Sequence, residues 1–244
     1  MSVKNHERLI VALDTSTIET AMKLVEEIGD EVSFYKVGLE LMMSNDYFKL
    51  ISWLKDRNKK VFADLKIYDI PETVGKVVHS LSLREIDFLT IHTASHDIMS
   101  RAAENKGKMK LLGVTVLTSI DQNDLNNMGF DPEISLSELV LEKTRSALNA
   151  GFDGVISSAM EAKSLRENLG NNFDIVTPGI RLEAVSEDDQ KRVTDARTAI
   201  ENGSSHLVVG RPITKDQNPK MAARRFQDLM NIPIRLQEAE MGIF

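Results

Sequence analysis

The sequence predicts a (β/α)8 barrel, and three observations indicate this fold. Short apolar runs recur at fairly even intervals along the 244 residues, and each is followed by a segment of helical period. The runs lack a clean apolar–polar alternation, which is typical of parallel strands covered on both faces. Eight such units average about 30 residues each, the size of a βαβ repeat. A count of eight favours a closed barrel, although six to eight units also build open sheets.

The eight apolar runs are the predicted strands, and helices are expected between them. The strands are expected at residues 9–13, 34–38, 61–65, 88–92, 111–117, 154–157, 173–177 and 207–210. Apolar side chains recur at helical spacing over residues 18–28 and 46–57, which predicts the first two long helices. The candidate helix starts are Thr17 and Ser137, and the candidate ends are Gly29 and Gly170.

The rest of the chain continues the same architecture. Residues 121–135 are predicted to form an extended loop with a helical turn, residues 218–230 the final helix, and residues 232–244 a tail that packs on a neighbour. We find no linker or low-complexity stretch, and 42% of the residues are hydrophobic, enough to bury a sizeable core. We therefore expect one barrel domain over residues 1–244.

Composition excludes several classes of function. Lys and Arg number 30 against 37 Asp and Glu, and a net charge of −7 without a basic run disfavours nucleic-acid binding. The absence of cysteine excludes disulfides, thiolate zinc sites and a cysteine nucleophile. No apolar stretch is long enough for a membrane span, and the first residues lack the pattern of a secretory signal. We expect a cytoplasmic protein with neither nucleic acid nor membrane as a partner.

Charged residues gather where the first three predicted strands end. The segment 61–73 reads VFADLKIYDIPET and places Asp64 and Lys66 two residues apart, on one face of a strand, with Asp69 in the following turn. From this spacing alone, a surface salt bridge and a catalytic cluster both stay open. Lys36 lies inside the apolar run FYKVG and Asp14 ends LIVALD, so both need polar partners at the same rim of a barrel.

Two later segments are suited to binding an anion. TPGIR (177–181) and VVGRPI (208–213) close the seventh and eighth predicted strands, where many barrels bind phosphate. Gly179 and Gly210 allow backbone N–H groups to approach closely, and Arg211 can hold a phosphate through two hydrogen bonds. Together these residues predict a phosphorylated ligand bound over a charged array.

The segment DLKIYDIPET (64–73) resembles the DLKxxDIPxT signature of the orotidine 5′-phosphate decarboxylase family. LIVALD, YKVGLE, VTVLTS, TPGIR and VVGRPI follow the order of that family, so the resemblance runs over residues 9–212. Tyr68 and Glu72 fill variable positions of the signature. The run HTASH (92–96) departs from an expected glycine-rich continuation, which leaves the roles of His92 and His96 open.

The resemblance implies a (β/α)8 barrel that converts orotidine 5′-monophosphate to UMP and CO₂ without metal or organic cofactor. It also implies a homodimer with shared active sites. One subunit would contribute Lys36, Asp64 and Lys66, with Lys66 as the proton donor to C6, while Asp69, Ile70 and Thr73 would reach into the partner's site. The other implied substrate contacts are Asp14 and Lys36 at the ribose, Thr118 at the pyrimidine, and Arg181, Gln190, Gly210 and Arg211 at the phosphate, with Gln190 on a lid loop at 182–192.

Two alternative functions stay open at this point. One is a magnesium-dependent relative on the same barrel, in the keto-gulonate-phosphate decarboxylase and hexulose-phosphate synthase group, which shares a DxKxxD core. Those enzymes bind the ion through acids on the second and third strands, and Lys36 at the second-strand position would repel it. The other alternative is a non-catalytic protein that binds a sugar phosphate.

Overall fold

The central strands close into a parallel barrel in the computed structural model, which describes residues 7–182 and 193–231. Around the barrel the order of hydrogen-bonded neighbours is β1-β10-β7-β6-β5-β4-β3-β2. The barrel strands are β1 (Leu9–Ala12), β2 (Phe34–Gly38), β3 (Lys60–Ile67), β4 (Phe88–His92), β5 (Lys110–Val114), β6 (Gly154–Ile156), β7 (Asp174–Thr177) and β10 (His206–Val209). The predicted (β/α)8 barrel is confirmed.

Helices cover the outside of the barrel. They are α1 (Ile18–Ile28), α2 (Leu39–Met42), α3 (Tyr47–Asp56), α4 (Pro71–Ser82), α5 (His96–Glu104), α6 (Gln122–Asn127), α7 (Leu136–Asn149), α8 (Ala159–Leu169), α9 (Ala196–Glu201), α10 (Arg211–Thr214) and α11 (Pro219–Met230). A short 3-10 turn, Gly29–Glu31, follows α1, and two short strands, β8 (Ile180–Arg181) and β9 (Thr194–Asp195), pair outside the barrel. None of the helices in the two described ranges is both long and apolar enough to cross a membrane.

Apolar side chains fill both faces of the barrel wall. Ile10 and Ala12 belong to an inner cluster with Phe34, Phe62 and Phe88, whereas Leu9 and Val11 pack outwards against the helices. Most strand residues are therefore apolar on both faces, because one face lines the barrel interior and the other packs against a helix. This burial explains why the strand sequences show no alternation.

Most predicted helix boundaries agree with the structure, and one does not. The Thr17 hydroxyl accepts a hydrogen bond from the Thr20 N–H and begins α1, which ends at Gly29. The predicted start at Ser137 is wrong, because α7 begins at Leu136 with Ser135 as its cap. There the Ser135 hydroxyl accepts from the Glu138 N–H while the Glu138 carboxylate accepts from the Ser135 N–H, and this reciprocal pair outcompetes a start two residues later.

Other boundaries differ at strand ends. β5 ends at Val114, three residues before the predicted end, because the chain leaves the barrel wall there and turns over the mouth of the barrel. The predicted helical turn in 121–135 is α6, and the final helix lies where it was expected. The predicted tail at 232–244 lies outside the described residues.

A bulge in β3 shapes the end of that strand. The pairing between β3 and β4 shifts from Ala63↔Leu89 to Ile67↔Ile91, so four steps along β3 face two steps along β4. Within this segment Lys66 has a left-handed backbone with φ of 47°. A bulge of this kind redirects side chains at the end of a strand, and here the shifted stretch between Ala63 and Ile67 contains both Asp64 and Lys66.

Candidate active site

A cavity of about 550 Å³ opens at the carboxyl ends of the barrel strands. Its apolar lining includes Val114 together with four residues that belong to the inner cluster of the barrel or pack against it, Ala12, Phe62, Ile156 and Val208. Its charged lining residues are Asp14, Lys36, Asp64, Lys66, Arg181, Arg211 and Lys215. Five cations against two carboxylates give this lining a net charge of +3, which favours an anionic ligand.

Four of these residues form a chain of alternating charge. The Lys36 ammonium lies 2.8 Å from Oδ1 of Asp14 and 3.6 Å from Oδ2 of Asp64, and the Lys66 ammonium lies 2.8 Å from Oδ1 of Asp64. We call Asp14, Lys36, Asp64 and Lys66 the charged array. Its formal charge sums to zero, which limits the cost of burying it.

The two buried members of the array hold each other ionised. Burial raises the pKa of the Asp64 carboxyl, but Lys36 and Lys66, together with hydrogen bonds from Lys66 and Thr90, outweigh this effect and leave the pKa below its ordinary value. Burial lowers the pKa of Lys36, but the carboxylates of Asp64 and Asp14 outweigh it and leave the pKa raised. Both groups are therefore charged at neutral pH.

Gly38 provides the space that the Lys36 ammonium occupies. A Cβ atom at position 38 would lie 3.2 Å from Lys36 Nζ and 3.7 Å from Asp14 Oδ1. The first contact is tight, so the ammonium would have to shift by a few tenths of an ångström, whereas the second is an ordinary van der Waals contact. The glycine at the end of β2 is thus matched to the lysine two residues before it.

Thr90 is a site residue that the sequence reasoning missed. Its side chain is fully buried on β4, and its hydroxyl donates to Asp64 Oδ1 at 2.9 Å while accepting from the Lys66 N–H at 2.9 Å. The only signal in the sequence is a hydroxyl inside the apolar run FLTIH. That signal is weak, because buried threonines also bond to ordinary backbone carbonyls, as Thr144 does.

The residues expected at the phosphate line the same cavity. Arg181 reaches it from β8, whereas Gly210 and Arg211 reach it from the connection between β10 and α10. Gly179 also lines it with a φ of 79°, a conformation that suits glycine. The sequence reasoning missed Thr214 and Lys215, which follow on α10 and its end. Gln190, expected on the lid loop, lies outside the described residues.

Thr118 lies in the cavity wall and is largely buried. The three residues expected to reach a partner lie elsewhere. Ile70 is 65% exposed, Thr73 is half-buried in the first turn of α4, and the exposed Asp69 carboxylate accepts the Ile70 N–H at 2.7 Å. These three do not line the cavity of their own chain.

The two histidines left open by the sequence differ in environment. His92 ends β4, half-buried, with its ring 6.3 Å from that of Tyr68. Burial first, and then the nearby Lys66 and Lys143, lower the His92 pKa, so this imidazole is neutral at pH 7. His96 is exposed and contacts the Ser100 hydroxyl. Within residues 7–182 and 193–231, no three His, Asp or Glu side chains converge as a metal site.

Two larger cavities, of about 780 and 880 Å³, open at the amino ends of the strands. Several of their cations are paired with carboxylates, as in Lys60–Glu7, Lys55–Asp87 and Lys110–Asp174. We therefore place the reaction site in the smaller cavity, where the charged array lies.

A sequence-family model and the sequences of known proteins both relate this chain to one enzyme family. Residues 7–226 match the sequence model of the orotidine 5′-phosphate decarboxylase / HUMPS family. The chain is 51% identical over 222 residues to orotidine 5′-phosphate decarboxylase of Methylococcus capsulatus, covering 91% of this chain and 90% of that protein. It is 43% identical, with the same coverage, to the protein of that name from Xylella fastidiosa strain M23.

The solved structures that resemble this chain include proteins of the same name. The crystal structure of orotidine 5′-phosphate decarboxylase from Lactobacillus acidophilus superposes with a TM-score of 0.80 at 36% identity, covering 92% of this chain and 99% of that one. The enzyme of the same name from Pyrococcus horikoshii superposes with a TM-score of 0.72, covering 91% of this chain and 98% of that one. At 23% identity, this second likeness supports the fold alone.

Proposed function

This chain belongs to the orotidine 5′-phosphate decarboxylase / HUMPS family, and we infer that its cavity converts orotidine 5′-monophosphate (OMP) to UMP and CO₂. The activity is that of a carboxy-lyase in pyrimidine biosynthesis. The observation that carries the assignment is the charged array at the mouth of the barrel. The array places the Lys66 ammonium in the wall of a cavity whose net positive charge suits an anionic substrate.

The chemistry requires a fixed positive charge. Loss of CO₂ from C6 leaves a carbanion in the plane of the pyrimidine, where the ring π system cannot delocalise it. In our proposal the Lys66 ammonium stabilises that charge and then delivers the proton to C6. Asp64 aims this ammonium through the contact at 2.8 Å. Asp14 and Lys36 bind the ribose hydroxyls, and Thr118 contacts the pyrimidine.

One ion pair does not account for the whole rate enhancement. A pair of unit charges at about 4 Å is worth roughly 4 kcal/mol at an effective dielectric of about 20, whereas enzymes lower barriers by about 8–23 kcal/mol. Binding energy from the phosphate therefore has to contribute. In our proposal Arg181, Gly210 and Arg211 bind the phosphate, and the phosphate contact expected from Gln190 stays a prediction from the sequence.

We propose that the reaction needs no metal ion. In this barrel the Lys36 ammonium lies 2.8 Å from Asp14 and 3.6 Å from Asp64, at the second-strand position where the magnesium-dependent relatives have an acid. The charges of the two carboxylates are already balanced by the ammonium groups of Lys36 and Lys66. This arrangement favours the metal-free decarboxylase over the magnesium-dependent relatives.

We also propose a homodimer with shared active sites. Its support is the exposed segment after β3, where Tyr68 is 69% and Ile70 65% exposed beside the Asp69 carboxylate. Large apolar side chains next to a charged residue on a surface suit burial against a second copy of the chain. The cytoplasmic location and the absence of nucleic-acid or membrane partners stay predictions from the sequence.

The test is direct. Purified protein is mixed with OMP, the ultraviolet absorbance is followed, and released CO₂ is measured, with and without EDTA. We expect equal turnover in both. Activity lost in EDTA and restored by magnesium would support the metal-dependent relative. Tight binding of OMP with no CO₂ release would support the non-catalytic binding protein.

A further inference from the structure

We propose that Thr90 is a positioning residue for the decarboxylation: its hydroxyl fixes the Asp64 carboxylate and the Lys66 backbone relative to each other. This inference rests on the proposed function, because it assigns Thr90 a role in aiming the proton donor. The hydroxyl contacts both groups at 2.9 Å. The Thr90 side chain is fully buried, so it acts on the reaction through Asp64 and Lys66 rather than by touching substrate.

Thr90 first fixes the backbone of Lys66. The bulge in β3 takes Lys66 out of the regular ladder with β4, since pairing is recorded at Ala63 and resumes only at Ile67. A buried backbone N–H without a partner is costly. The Thr90 hydroxyl accepts the Lys66 N–H in place of a strand carbonyl. It thereby stabilises the left-handed backbone conformation of Lys66, which residues other than glycine rarely adopt.

Thr90 also fixes the orientation of the Asp64 carboxylate. Asp64 Oδ1 accepts from both the Lys66 ammonium and the Thr90 hydroxyl, whereas Oδ2 faces the Lys36 ammonium. The direction of each bond follows from the donors available. A backbone N–H can only donate, so the hydroxyl accepts it and its own hydrogen goes to the ionised carboxylate. One threonine thus fixes both the orientation of the Asp64 carboxylate and the backbone position from which the Lys66 side chain extends.

The requirement is specific to a hydroxyl. Serine keeps a group that donates and accepts, whereas valine has nearly the same shape and does neither. With valine at position 90, the Lys66 N–H loses its acceptor and Asp64 loses a donor. The lysine can then leave its left-handed conformation, and its ammonium moves away from the place that C6 would occupy.

The experiment compares Thr90→Val, Thr90→Ser and a matched control, Thr144→Val. Thr144 is also fully buried, but its hydroxyl bonds to the Val140 carbonyl within α7. We expect Thr90→Val to lower kcat for OMP by about 10- to 100-fold, because hydrogen bonds to charged groups are the strong ones. The Kd for UMP should change less than about threefold, since Thr90 does not touch the ligand. Thr90→Ser and Thr144→Val should keep kcat within about threefold of the unsubstituted chain.

A purely structural role gives a different result. Thr90→Val and Thr144→Val would then lower the melting temperature alike, with kcat retained in both, and this would overturn the proposal. A crystal structure of Thr90→Val supplies a readout that does not depend on activity. Lys66 still at a positive φ and still 2.8 Å from Asp64 would also overturn it. If the unsubstituted chain releases no CO₂ from OMP, the proposed function fails by itself, and the geometry of the variant still decides whether Thr90 positions the pair.

Discussion

The Lys66 ammonium lies 2.8 Å from Oδ1 of Asp64, although a single residue separates them on β3. In a regular strand, residues two apart on one face are separated by about 6.5–7 Å along the strand. The left-handed backbone at Lys66 and the bulge around it accompany the short contact made by the side chains. The pair therefore depends on local backbone geometry as much as on charge, and its members are the first targets for mutation.

Lys66→Ala should nearly abolish turnover, by about 10⁴-fold or more in kcat, because it removes both the positive charge and the proton donor. Binding of UMP, measured by calorimetry, should change little. Lys23→Ala is the matched control, since Lys23 is an exposed lysine on α1 whose ammonium lies 3.9 Å from the Glu27 carboxylate. Turnover close to that of the unsubstituted chain would remove Lys66 as the donor.

Arg211→Ala should weaken binding of the phosphorylated substrate. A charge-assisted hydrogen bond contributes about 1.5–3 kcal/mol, so we expect the KM for OMP to rise about 10- to 100-fold. Binding of uridine, which lacks the phosphate, should not change. The control is Arg224→Ala, which removes an exposed arginine bonded to Glu31. An unchanged KM would place the phosphate elsewhere in the cavity.

Mixed dimers test whether the site is shared. A Lys66→Ala chain and an Asp69→Asn chain, each inactive alone, should recover up to about a quarter of full activity when co-expressed, because half the dimers are hybrids with one intact site. A mixture of Lys66→Ala with Asp64→Asn should recover none, since both changes affect the same chain's contribution to a site. Equal results from the two mixtures would show that Asp69 acts within its own chain.

His206 should make the stability of the fold depend on pH. It is 3% exposed at the amino end of β10, and burial lowers its pKa to about 4, with a smaller lowering from Lys110, Arg8 and Lys60 that Asp174 opposes. In the unfolded chain His206 binds a proton near pH 6.5, whereas in the folded chain it binds one only near pH 4. Stability should therefore fall as the pH drops, by about 3 kcal/mol between pH 6.5 and 4.

Urea unfolding of His206→Leu at pH 7 and pH 5 provides the measurement. This variant should lose less stability between the two pH values than the unsubstituted chain does. His79→Leu is the control, because His79 is exposed on α4 and should leave the pH dependence unchanged. Parallel losses in all three proteins would assign the acid sensitivity to other groups.

The parts of the fold that follow from sequence periodicity could be predicted. The barrel strands are apolar on both faces, and the α1 boundaries follow from Thr17 and Gly29, whose roles depend on neighbouring backbone alone. The start of α7 could have been predicted too, although the expected start at Ser137 is wrong. Ser135 and Ser137 are both suitable residue types, but only Ser135 has a glutamate three positions later, and the sequence itself shows this signature of a helix start.

Some residues of the site could likewise be predicted from the sequence, and others could not. Lys36 could be recognised because a charge inside an apolar run needs partners, and the structure supplies two carboxylates. Thr90 could not, because its role depends on a shift of register between two strands, and a register is a property of the folded barrel. The positions of residues 61–65 indicated the strand but not the bulge that extends it to Ile67.

Closure of the strands places the imidazole of His206 and the charged array at opposite mouths of the barrel. Replacing the buried imidazole at the amino-end mouth therefore leaves the four residues of the charged array in place. The carboxyl-end mouth keeps an acid-sensitive group of its own, because the lowered pKa of Asp64 stabilises the fold only while that carboxyl is ionised.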